Sequence, residues 1–96
     1  MFDEDSAAGN ISKLKKGEIF TRSTLIPMSR ANANLIAAER DRLVKILSPV
    51  VARVKSKYRK RKFSMHTTHA FTRSYDVIVS ASVLHEGRIK EEDGEL

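Results

Sequence analysis

An apolar stripe that keeps its phase from Ile36 to Tyr58 constrains this chain more than any other feature. Ile36, Leu43, Leu47, Val50, Val54 and Tyr58 follow one another at spacings of seven, four, three, four and four residues, which holds them on one side of a helix of 3.6 residues per turn. A helix with one apolar side needs a second apolar surface to lie against. The remaining β-branched and aromatic runs supply that surface as strands, so the fold class expected is α+β.

Ser48-Pro49 interrupts the pattern, because proline removes a helical hydrogen bond and disfavours helical geometry in the residue before it. The stripe nevertheless continues in phase. The expectation is one long kinked helix, in preference to two coaxial helices with Ser48 as a cap. Ser29 is the candidate N-cap, and the helical pattern extends to Arg59 or Arg61. Glu39 with Arg42 and Asp41 with Lys45 have the spacing of helix-surface ion pairs.

Three strand signals flank this helix. Glu18 to Ser23 follows the Gly17 turn signal, Lys62 to Thr68 alternates apolar and polar positions, and Asp76 to Leu84 places Val77, Val79, Ala81 and Val83 on one face. His69 to Tyr75 is either a long loop or a pair of strand extensions reaching a tight turn. The order is β-α-β-β, with the helix packed across a small antiparallel sheet. Asp76 to Leu84 is either a central strand or an edge on which a second copy or a partner strand adds. The expected organisation is a flexible acidic tail over residues 1–10, one α+β domain over 11–86 and a flexible acidic tail over 87–96. A core of this size is only marginally stabilising, which favours a homodimer or a partner.

Charge gives the functional expectation. Arg53, Lys55, Lys57, Arg59, Lys60, Arg61 and Lys62 fall within ten residues that hold no acid. Between Ser6 and His85 sixteen Lys and Arg face four acids, Glu18, Glu39, Asp41 and Asp76, a balance of 16 − 4 = +12. Such a surface concentrates polyanions and speeds their association. These seven residues together with Arg73 are the candidate nucleic-acid-binding set, with DNA placed ahead of RNA as partner. Phe71, Arg73 and Tyr75 alternate, so an extended segment would present them together as a stacking platform; the bland alternative is that the aromatics close the hairpin core.

Enzymatic chemistry is not expected. The chain has no cysteine, hence no thiolate nucleophile, disulfide or cysteine-ligated metal. His66, His69 and His85 lack a completing ligand at metal-site spacing. No Gly-rich phosphate loop or nucleophile elbow is present, so no cofactor is anticipated. The acidic start, Met1-Phe2-Asp3-Glu4-Asp5, is unlike a secretory signal, and no apolar run is long enough to span a bilayer. A cytoplasmic protein without a membrane role is the expectation.

The stretches Leu14-Lys15-Lys16-Gly17-Glu18-Ile19-Phe20, Arg61-Lys62-Phe63-Ser64-Met65-His66-Thr67 and Asp76-Val77-Ile78-Val79, with the helix between the first two, resemble small phage-encoded accessory proteins of β-α-β-β layout. The helix with Pro49 and the segment before Asp76 are longer here than in that group. The resemblance implies a regulatory or DNA-associated role in the host cytoplasm. Its alternative is an inhibitor or adaptor that docks on a host protein.

Overall fold

The computed structural model describes residues 2–89. Along the chain run α1 (Glu4–Ser12), β1 (Ile19–Pro27), α2 (Ala33–Lys57), β2 (Arg61–Phe71) and β3 (Asp76–Arg88). The three strands form one antiparallel sheet in the order β1-β3-β2. This is the α+β arrangement the sequence implied, with one added helix. β3 is central, so the alternative of an edge at Val77 to Leu84 is overturned; among the described residues β1 and β2 are the outer strands.

The core lies between α2 and one face of the sheet. Leu43, Leu47, Val50 and Val54 of the helical stripe are buried, and they meet Val77, Val79, Ala81 and Val83 of β3. Ile36 and Tyr58 close the two ends of the stripe, half-buried. The helix is one continuous element through Pro49. That residue is exposed, so its ring displaces nothing in the core.

The cap differs from the expected Ser29. Asn32 takes the role, its Oδ1 accepting from the Leu35 amide at 2.8 Å, because Pro27 and the turn at residues 28–30 still carry the chain off the β1 edge. Asn32→Ala should cost about 1 kcal/mol of stability, measured by urea denaturation. At the other end α2 stops at Lys57, short of Arg59, where Tyr58 leaves helical geometry (φ −121°, ψ 71°).

The N-terminal segment is not a loose tail. The Asp3 carboxylate accepts from Ser6 N at 3.1 Å, Glu4 and Asp5 occupy the first turn, and Ala7, Ala8 and Ile11 are buried. Acids in a first turn oppose the positive end of the helix dipole. A helix this short is not stable alone; α1 holds through its contact with α2.

Residues 72–75 form a tight turn between β2 and β3. Thr72 Oγ1 accepts from the amides of Ser74 and Asp76, and Tyr75 takes φ 60°. Of the two readings of His69 to Tyr75, the strand extensions hold. β1 is likewise longer than expected, reaching Pro27 opposite Asp76. Proline is tolerated there because β1 is an edge. β3 also continues past residue 87, and Ile89 N donates to Lys60 O. The rest of the expected C-terminal tail, residues 90–96, lies outside the described residues. Among the described residues no helix is long and apolar enough to cross a membrane.

Among the described residues, helices cover one face of the sheet and leave the other bare. The other face follows the register in rows: Ile19 beside Leu84 and Ser64, Thr21 beside Ser82 and His66, Ser23 beside Ser80 and Thr68, Leu25 beside Ile78 and Ala70.

Candidate nucleic-acid interface

Three stretches far apart in sequence meet at one end of the sheet. The α2–β2 connection brings Arg59, Lys60, Arg61 and Lys62. Arg61 stands opposite Arg88 and Lys62 opposite Gly87. The α1–β1 turn brings Lys13, Lys15 and Lys16 alongside. Its Gly17 N donates to His85 O at 2.8 Å, and the Lys16 stem lies against Gly87. A Cβ on Gly87 would meet that stem at 3.2 Å, and the backbone there has φ 108°, so only glycine fits without strain.

A β-bulge completes this end. The register steps from Lys62 opposite Gly87 to Phe63 opposite His85, leaving Glu86 as the extra residue. Bulges re-aim side chains, and Glu86 pairs with Lys62 at 3.7 Å. His85 is buried beneath, edge-on to Phe63 at 5.2 Å, with Nδ1 accepting from the Gly87 amide at 3.0 Å.

The candidate cations divide into two groups. Some serve the fold. Arg53 Nη1 donates to Asp5 at 2.7 Å, with Glu4 at 4.0 Å, and that hydrogen bond and charge raise its pKa above the ordinary arginine value. Arg61 Nη1 donates to the Ser12 carbonyl at 2.6 Å, at the C-terminal end of α1, and its guanidinium lies 4.0 Å from the Tyr58 ring centre. A cation there satisfies an orphan carbonyl and the negative helix end together. Arg61→Ala should therefore cost about 1.5 kcal/mol, read as a lower urea midpoint.

The second group faces solvent. Lys55, Lys57 and Arg59 are exposed, as is Arg88, and Lys57 Nζ lies 5.6 Å from the Tyr58 ring centre. Tyr58, Arg59, Lys60, Arg61 and Arg88 line a hollow of about 340 Å³ whose wall, among the described residues, holds no acid. Arg61 and Arg88 oppose each other across the strands, and like charges in that relation repel. An anion in the hollow would offset the repulsion.

Arg73 does not join them. It occupies the turn at the far end of β3, a strand of 13 residues, so about 40 Å separates it from Arg88. Phe71 and Tyr75 flank it at 66% and 76% exposure, so they do not close a core. Phe71 instead lines a groove of about 680 Å³ with Met28, Ile36 and Val44. Arg40 bridges that groove to β2, donating to Thr67 Oγ1 at 3.1 Å and Thr67 O at 3.2 Å, with His69 Nδ1 at 3.3 Å. His66 lies on the opposite face of β2 from His69, within 3.1 Å of Ser64 Oγ. The residues of the basic end that sequence reasoning missed are Lys13, Lys15, Lys16 and Arg88. Their signal was present as cations next to Gly17 and Gly87, the positions where the chain turns or bulges.

Neither a curated protein nor a solved structure matches this chain. A family model described as a domain of unknown function, DUF7609, matches residues 5–83, from the first turn of α1 to the middle of β3. On that match the chain belongs to the DUF7609 family.

Proposed function

We propose that the protein is a non-enzymatic nucleic-acid-binding module that grips the phosphate backbone with its basic end, duplex DNA being the favoured ligand. The observation that carries this reading is the gathering of Arg59, Lys60, Arg61 and Arg88 around one hollow, at the same end of the sheet as Lys55, Lys57 and the lysines of the α1–β1 turn. Arginine and lysine there attract phosphates by releasing condensed counterions, and arginine adds forked hydrogen bonds. Tyr58 is the aromatic residue in the hollow, and the cations of Arg61 and Lys57 already lie over its ring. Its ring is thus engaged by cations rather than offered to an unpaired base, which favours contact with backbone over contact with bases.

The test is a titration of the ¹⁵N-labelled chain with a short DNA duplex, followed by amide chemical shifts. Perturbations are expected at residues 13–16, 55–62 and 86–88. Shifts centred on residues 71–75, or none at all, would overturn the assignment.

A further inference from the structure

The face of the sheet opposite the helices, bare among the described residues, departs in composition from the rest of the molecule. Charged residues make up 31% of the chain, yet the interior rows of this face carry none. Lys62 and Glu86 bound it at one end and Asp76 at the other. Along β1 and β3 the rows read apolar, hydroxyl, hydroxyl, apolar. Ile19 and Leu25, in the outer rows, are 57% and 60% exposed. In the inner rows Thr21 Oγ1 lies 2.8 Å from Ser82 Oγ, and Ser23 Oγ 2.7 Å from Ser80 Oγ.

We propose that this face docks a second copy of the chain, sheet against sheet, in a two-fold dimer. The row pattern is its own complement. A two-fold axis crossing the strands between the two hydroxyl rows lays Ile19 of one copy over the Leu25 row of the other, and hydroxyls over hydroxyls, as an isologous contact requires. Drying the β1 and β3 hydroxyls of the inner rows costs little, because each of the four already has a partner within its own sheet. Electrostatics selects the same face: with a net charge of +6, two copies repel through most of their surfaces, and this face brings no charge to the contact. The same axis points the two basic ends away from each other. Sheets packed this way lie about 10 Å apart, within reach of short serine and threonine side chains flanked by isoleucine and leucine.

The test is sedimentation equilibrium of the full chain from about 1 µM to about 1 mM, a span matched to the affinity of a modest interface. The mass should rise from 10.8 kDa toward twice that value. Ser80→Lys should move the midpoint upward about a hundredfold by setting like charges against each other across the axis. Far-UV circular dichroism checks its fold, and Thr68→Lys, on the same face of the edge strand β2, replaces it should it fail to fold. Because the chain has no cysteine, Ser80→Cys also permits a direct reading: a short bis-maleimide should link two copies, whereas Asp41→Cys on the outer surface of α2 should not link. A monomer across the whole range would overturn the proposal. So would a dimer indifferent to both lysine variants, which would place the contact on a strand edge.

Discussion

Replacing Lys55, Arg59 and Arg88 together with glutamate should weaken duplex DNA binding by at least about 500-fold at roughly 0.1 M salt. Each phosphate contact releases about 0.9 counterion, worth about 0.9 decade at that concentration, so loss of three contacts removes about 2.7 decades before the added repulsion is counted. These positions are chosen because they are exposed and none forms an ion pair among the described residues. Arg53 and Arg61 are poorer choices despite lying in the same basic run. Reversing Arg53 would set it against Asp5 and Glu4, and reversing Arg61 would remove the bond to Ser12 O. Either change would loosen α1 and confound affinity with stability. The check is fluorescence anisotropy of a labelled duplex, with unfolding midpoints measured alongside. Retained affinity in a folded triple variant would place binding elsewhere.

The second large effect concerns the core. Leu47 is fully buried, at the point where the middle of α2 crosses β3. Leu47→Ala removes its packing atoms and leaves a cavity, at a cost of about 2 to 5 kcal/mol. A domain this small has a total stability of only about 5 kcal/mol, so the change should lower Tm by about 10 to 25 °C. Thermal unfolding followed by circular dichroism checks it. An unchanged Tm would mean that α2 does not pack on the sheet through this stripe.

The parts of the fold legible in the sequence are those where one periodicity and burial agree. The Leu43, Leu47, Val50 and Val54 stripe and the Val77, Val79, Ala81 and Val83 face each declared both the element and its inward side. α1 was not legible, because its apolar side is two alanines and Ile11, and a short helix depends on α2 for its existence. Strand order was likewise hidden. Nothing local in Val77 to Leu84 distinguishes a strand paired on both edges from one paired on a single edge, and β1 joins β3 only through pairing between distant segments.

The candidate site was half legible for a related reason. Arg53 to Lys62 is contiguous, so its charge density is plain in the chain. Lys13 to Lys16 and Arg88 reach it only through the Gly17 turn and the bulge at Glu86. Arg73 illustrates the converse: alternation with Phe71 and Tyr75 suggested a platform, but a four-residue turn and the length of β3 hold it at the opposite end.

The most direct measurement is the association constant of the full chain for a duplex of about 20 base pairs across a salt series. Gripping phosphates with Lys55, Lys57, Arg59, Arg88 and the three lysines of the α1–β1 turn should give a log–log slope of about −6, at about −0.9 for each phosphate neutralised. A slope near zero, or no binding at about 20 mM salt, would contradict a phosphate-gripping role for the basic end.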